Sequence, residues 1–564
     1  MTRATSSSSL TSLTASANAS DTLVTAAAVA DVSSAVSTMP TAASVPPAIQ
    51  VRGLHVAIDG KDIIRGVDLT IPTNATVAVV GESGSGKSVT AKALSGLLPE
   101  RSQTSGEYEL FGEPVNLAAG ERAWRTIRGT TIVWLPQDPF SSLDPLRRIG
   151  QQIADGLRKS DQSYDHRSTR DAVISLLTDV GLDPAVADAY PHELSGGMRQ
   201  RVAIAAALAP QPRMLIADEP TTALDASTQQ TVLDLLESLR ASRHMTMLLI
   251  THDLALAVER ADHLVVFHDG LVVEEGDREQ VMHHPKSAYT RELLEAHTKL
   301  HVGTRTEPGK DVVIAEHVVK TFAGASVPAV DDVSLHVRAG EIVGLVGESG
   351  SGKSTVARCL VGLETPDSGS IAYVDAQGNH VAWSREQAQL VFQNPYGSLN
   401  PTMTVRRTLT EALKISGKPH DDAAIRSLMS KVGLESNLID RKPGTLSGGQ
   451  CQRVAIARAL APEPKLLVAD EAVTALDANI QTHVLETMLD LRERFGLAIL
   501  FISHDLDTVR RISDRIAVMW HGRIVETGST DQVMHHPQHD YVRTLIAAMP
   551  PSLDDDTAAT PTTH

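Results

Sequence analysis

The feature that most constrains this fold is that the chain is written twice. GESGSGKS occupies 81–88 and again 347–354. LSGG stands at 194–197 and 446–449, ADE at 217–219 and 469–471, HD at 252–253 and 504–505, and HHP at 283–285 and 535–537, all with a constant separation of 252. Motifs repeated in one order over such a period mean two copies of one domain. Lys87 to Gln137 is 50 positions, but Lys353 to Gln393 is 40. The extra length is assigned to EPVNLAAGERAW (113–124), read as a surface loop, where insertions are tolerated. AHTKLHVGTRTEPGKD at 296–311 is short, polar and carries Pro and Gly, as linkers do. The expected plan is a tail at 1–46, a first domain at 47–298, a linker at 299–311, a second domain at 312–550 and a tail at 551–564.

Composition narrows the class. Net charge is −17, with no general electrostatic footprint for nucleic acid. Cys359 and Cys451 are the only cysteines, too few to build a zinc site or iron–sulfur cluster from cysteine alone. No run of about 18 apolar residues appears, so the chain is expected not to span a membrane itself. The first 46 residues are mainly Ser, Thr, Ala and Val and cannot bury enough surface to offset ordering entropy. Arg3 stands near their start, but the leucine-rich core of a secretory signal is missing. A disordered tail is expected; a start codon placed too far upstream is the other reading.

Each half reads as α/β. ATVAVV (75–80) and EIVGLV (341–346) lead straight into the glycine loops. RMLIAD (213–218), KLLVAD (465–470), TMLLIT (246–251) and AILFIS (498–503) are further continuous apolar runs. Such runs suit a parallel sheet buried on both faces. RDAVISLLTDVGL (170–182) and AAIRSLMSKVGL (423–434) place apolar residues at i, i+3 and i+4, so a helical region is expected before each LSGG.

GESGSGKS fits GxxxxGK[ST]. Gly81, Ser83, Gly84, Gly86, Lys87, Ser88 and Val89 form the first loop. Gly347, Ser349, Gly350, Gly352, Lys353, Ser354 and Thr355 form the second. Glycines let backbone N–H groups wrap phosphates without a Cβ clash. The lysine neutralises the outer phosphates, and the serine hydroxyl ligates Mg²⁺. Asp218 and Asp470 end apolar strands, where a carboxylate can hold Mg²⁺. Glu219 and Glu471 come next, placed to polarise a water for in-line attack. Ser195 with Gly196 and Gly197, and Ser447 with Gly448, Gly449 and Gln450, are expected to open helices and offer a second anion site.

Together these motifs resemble the nucleotide-binding domains of ABC transporters, over about residues 47–550. The resemblance implies two ABC-type domains. Each has a RecA-like parallel-sheet core, an antiparallel β edge and a helical subdomain. It implies a head-to-tail arrangement, with each ATP held by the lysine loop of one half and the LSGG loop of the other. It also implies that Gln137 and Gln393 contact Mg²⁺ and the attacking water, that His252 and His504 contact the γ-phosphate, and that Asp225 and Asp477, in ALD at 223–225 and 475–477, cross the interface. An aromatic residue commonly stacks on adenine; Phe322 fits in the second half, while the first offers Ile58.

LPQDPFSSLDPLRRIG, VFQNPYGSLNPTMTV, DEPTTALD, DEAVTALD and the HHP-x-x-x-Y tails are similar to those of dipeptide and oligopeptide importers. That family implies two permease subunits, an extracytoplasmic binding protein and a place on the cytoplasmic face of the membrane. Nickel and glutathione-like substrates use the same motifs. HTKLHVGTRTEPGK holds no cysteine, so no iron–sulfur cluster is expected. Asp144 stands where the other half has Asn400, and Cys451 where arginine is commoner. A ribosome-acting ATPase is the alternative from another class, but the charged helical linker of such proteins is missing. His283, His284, His535 and His536 could pair on a metal in principle. Adjacent histidines need not converge, so the stretch is read as a landmark of the domain end.

Overall fold

A computed structural model describes residues 46–138, 142–160, 165–221, 226–298, 309–375, 377–384, 386–473 and 478–549. The expected tails beyond Pro46 and Met549, most of the linker, and both Asp225 and Asp477 lie outside them.

The continuous apolar runs pair on both edges. In the first half the strands lie in the order Ile132–Leu135, Met214–Asp218, Thr246–Ile250, Thr76–Gly81 and His263–His268, all parallel; Leu271–Asp277 adds an antiparallel edge. Every residue of Thr76–Gly81, Met214–Asp218 and Thr246–Ile250 is buried, because layers cover both faces. The second half repeats the order with Ala388–Val391, Leu466–Asp470, Ala498–Ser503, Ile342–Val346, Arg515–Trp520 and the antiparallel Arg523–Ser529.

One covering layer is an antiparallel sheet. Ile49–Ile58 pairs with Lys61–Ile71 and Ser102–Leu110, and Asp311–Lys320 pairs with Val330–Arg338 and Ser368–Val374. Its inward residues Val51, Leu69 and Ile71 join Val77 and Ile250 of the parallel sheet in one core. The other layer is helical. His166–Asp179 begins where the Asp165 carboxylate accepts from the Arg167 and Ser168 N–H groups. Asp422–Lys431 begins where Asp421 accepts from Ala424 N–H. Each cap satisfies donors that a helix start leaves open. Leu176, Leu177, Ile149, Ile153 and Val202 close this core in the first half.

Three expectations need correction. The stretch at 113–124 is not loop throughout: Glu121–Ile127 is helical, because Trp124 turns inward and packs on Gly96. Asp311 already lies in the strand Asp311–Lys320, one residue before the expected start of the second domain. Pro46 belongs with the folded part, where its carbonyl accepts from the Thr73 hydroxyl.

The halves touch reciprocally. Helix Ala288–Thr298 of the first lies against Ala478–Phe495 of the second, and Asp540–Ala547 of the second lies against Ala226–Arg243 of the first. No helix among the described residues is long and apolar enough to cross a membrane.

Candidate functional site

Strand order builds the site. Moving across the sheet from the glycine loop, the next strand leads to His252, the next ends in Asp218 and Glu219, and the last leads to Gln137. The second half gives the glycine loop, His504, Asp470 with Glu471, and Gln393 in the same order. Four chain segments far apart in sequence therefore meet at one sheet edge, where ligands of open α/β folds bind.

The loops are shaped by their glycines. Gly86 and Gly352 adopt φ of 108° and 105° and start the helices Lys87–Leu94 and Lys353–Leu360. A Cβ on Gly81 would lie 2.1 Å from the Phe267 carbonyl oxygen, and one on Gly347 equally close to that of Met519. Gly84 and Gly350 face open space. Lys87 Nζ donates to the Gly81 and Glu82 carbonyls at 2.7 and 2.9 Å; Lys353 donates to Gly347 and Glu348 at 2.7 and 2.8 Å. The Ser85 hydroxyl, which the sequence reading passed over, is buried without a hydrogen-bond partner among the described residues.

Ser88 Oγ donates to Asp218 at 2.9 Å, and Ser354 Oγ to Asp470 at 3.1 Å. Burial raises both aspartates above the ordinary carboxylate value, so a cation beside them would relieve a real desolvation cost. A hydroxyl and a carboxylate beside a lysine-lined loop form an oxygen set that suits Mg²⁺ with phosphate.

The glutamates are clamped on both oxygens. Gln137 Nε2 donates to Glu219 Oε2 at 2.6 Å, and His252 Nδ1 stands 3.1 Å from Oε1. In the second half the distances are 2.6 Å for Gln393 and 3.3 Å for His504. The His504 contact holds the Glu471 carboxyl below its usual range, and Glu471 in turn raises His504. Burial pulls His252 down, but the hydrogen bond and charge of Glu219, with Asp253, outweigh it and leave the imidazole raised. Glu219 and Glu471 also sit at φ of 47° and 48°. Such a conformation in a non-glycine residue marks stored strain and clusters at functional sites; no residue pattern in the sequence announced it.

Ser195 and Ser447 cap the helices Gly196–Leu208 and Gly448–Leu460 as expected. Gln450 closes a reciprocal capping box with Ser447, whereas Met198 stands at that place in the first half. Gly197 and Gly449 lie close under Thr228 and Ile480. Phe322 is 39% exposed, not core, and Ile58 is half-buried. Val89 and Thr355 follow the loop serines inside the first helical turns. The four histidines of the HHP stretches form no metal-binding group among the described residues; His283 and His535 instead stand 3.6 and 3.7 Å from Glu279 and Asp531.

Comparison with known proteins gives a consistent result. A family model described as ABC transporter matches residues 64–222 and 330–474. A second, described as Oligopeptide/dipeptide transporter, C-terminal region, matches 273–320 and 525–562. The chain is 38% identical over 558 residues to the Glutathione import ATP-binding protein GsiA of Pectobacterium atrosepticum, with 89% of each chain covered. It is 40% identical over 529 residues to the Peptidoglycan transport ATP-binding protein YejF of Agrobacterium fabrum, covering 89% of this chain and 96% of that one. An archaeal ribosome recycling factor, solved in complex with an archaeal ribosomal stalk protein, is similar with a TM-score of 0.57 at 22% identity, over 81% of this chain and 86% of that one. That last likeness shows the fold alone.

Proposed function

The chain belongs to the ABC transporter family, and from that premise we propose that it energises import of short peptides and peptide-like substrates. It is an ATPase subunit with both ATP-binding domains on one chain. The observation that carries the peptide reading is the oligopeptide/dipeptide C-terminal match after each domain. Relatives named for glutathione and peptidoglycan transport favour a glutathione-like tripeptide or a cell-wall peptide within that class; nickel is the remaining alternative. The ribosome reading rests on fold alone.

The mechanism follows from the two clusters. Each lysine loop takes the phosphates of one ATP, with Phe322 stacking on adenine in the second half. By the family resemblance, the LSGG helix starts, with Asp225 and Asp477, would complete each site from the opposite half. Mg²⁺, held by Ser88, Asp218 and Gln137 in one half and Ser354, Asp470 and Gln393 in the other, would neutralise charge on the phosphoryl oxygens. Gln137 and Gln393 release one glutamate oxygen towards water. Glu219 and Glu471 then accept the water proton as its oxygen bonds the γ-phosphorus and the bond to ADP breaks. His252 and His504, each held by the neighbouring glutamate, would offer a hydrogen bond to the γ-phosphate. Two permeases would receive the motion, and an extracytoplasmic binding protein would deliver substrate. The chain would thus sit on the cytoplasmic face of the membrane without spanning it.

The test is uptake of a labelled dipeptide and of glutathione in cells lacking the chain, restored by the parent or by the chain with both glutamates changed to glutamine. Uptake restored only by the parent supports the proposal. Loss of nickel uptake with peptide and glutathione uptake intact sinks it.

A further inference from the structure

The stretches VMHHPKSAY (281–289) and VMHHPQHDY (533–541) take no part in hydrolysis, yet each is held against the two edge strands next to its phosphate-loop strand. Glu274, only 6% exposed, accepts from the Lys286 and Ser287 N–H groups at 2.8 and 3.1 Å. Glu526, at the matching place, accepts from Gln538 and His539 N–H at 2.9 Å each. These carboxylates hold the turn after the His-His-Pro and so fix where the next helix begins.

The tyrosine at that helix start is thereby aimed at one spot. Tyr289 stacks on His268 with ring centroids 4.0 Å apart, and Tyr541 stacks on Trp520 at 5.3 Å. His268 and Trp520 end the strands beside the glycine-loop strands. The turns that follow them grip the loops, Gly270 N–H donating to Ser85 carbonyl at 2.9 Å and Gly522 N–H to Ser351 carbonyl at 3.0 Å.

In the second half the contact becomes direct. The Tyr541 hydroxyl accepts from the Glu348 N–H at 3.1 Å, one residue after Gly347. Lys353 Nζ donates to the carbonyl of the same Glu348. The loop is thus held at Glu348 through both its N–H and its C=O. Helix Asp540–Ala547, which carries Tyr541, is backed by helix Ala226–Arg243 of the first half.

We propose that Tyr541 is a positioning residue for the phosphate loop of the second ATP site, and that placing it is what the His-His-Pro tail does there. Without the hydroxyl, the Glu348 N–H loses this acceptor while its carbonyl stays held by Lys353, and the loop loses part of its preorganisation for phosphate. The inference rests on the assignment of the glycine loops to ATP phosphates.

The test uses the full chain and trinitrophenyl-ATP as the equilibrium probe. Lys87→Ala leaves the second site to report alone, and Lys353→Ala leaves the first. Tyr541→Phe is expected to weaken the second site about fivefold, the worth of one hydrogen bond, and to change the first less than twofold. In hydrolysis it raises KM for ATP with kcat within about twofold, a split that general loosening of the fold does not produce. Equal weakening at both sites, or none at either, overturns the proposal. If Lys87→Ala with Lys353→Ala abolishes binding while Tyr541→Phe changes nothing, only the tail inference falls. If the double lysine variant binds as the parent does, the phosphate-loop assignment falls and takes the inference with it.

Discussion

At the scale of single residues, the glutamates and glycines carry opposite lessons. Glu471 and His504 shift each other, and the sign sets a pH window. The raised histidine contributes stability that is fully present below its ordinary value of about 6.5 and is lost as pH rises through its native value. The lowered glutamate contributes stability present above its ordinary value of 4.5 and lost as pH falls through its native value. The pair therefore stabilises most between these limits. The thermal-midpoint difference between the parent and Glu471→Gln is expected to be largest between those two ordinary values and to shrink as pH rises through the native value of His504. A difference that does not vary with pH contradicts the pairing. Among the glycines, Gly347→Ala drives a Cβ to 2.1 Å from the Met519 carbonyl oxygen, while Gly350→Ala meets nothing within 4 Å but sits at φ of 82°. The second should cost about 1–2 kcal/mol of backbone strain and the first clearly more, as denaturant midpoints of the two variants would reveal.

At the scale of elements, the two halves differ most where their lengths differ. Trp124 is 3% exposed and its ring fills the space over Gly96, whereas Trp383, which lies near Gly362 in the second half, is 43% exposed. Trp124→Ala is expected to destabilise by about 3–5 kcal/mol, and Trp383→Ala by under half of that, measured by chemical denaturation. The stretch around Trp124 reads as loop because Gly, Pro and Asn punctuate it; one large aromatic turned inward overrides that local signal. Other elements were legible for a clear reason. The continuous apolar strands and the glycine loops carry their instructions locally, in period and in residue type. The sheet order was not legible, because nothing local says which strands become neighbours. For the same reason Glu219 could be assigned from its place after Asp218, and Gln137 and His252 by resemblance, but their clamp could not. Glu274 and Glu526 were invisible too: an acid in a polar edge strand looks like any solvated residue until the N–H groups it receives are seen.

At the scale of the whole molecule, the near-identity of the two clusters is the property with the most direct consequence. Each half has its lysine folded on the loop carbonyls, its serine on an aspartate, and its glutamate held between a glutamine and a histidine. The differences lie around the clusters: Met198 against Gln450, and Ile58 against Phe322. They touch how a nucleotide is held, not the group that takes the proton. A chain with one degenerate site would be expected to lose a lysine or glutamate from one cluster, and neither half has. Both sites should therefore hydrolyse. Glu219→Gln and Glu471→Gln each preserve side-chain volume and remove the carboxylate that accepts the proton, an effect of roughly 10²–10⁴-fold at the altered site. Each single variant is expected to cut steady-state turnover of purified chain to half or less, and the double variant to about a hundredth or below. If the halves must fire together, each single variant falls nearly as far as the double; if they fire independently, each retains about half. A single variant that turns over at the parent rate shows that its site is silent, and the equivalence drawn from the paired clusters would not hold.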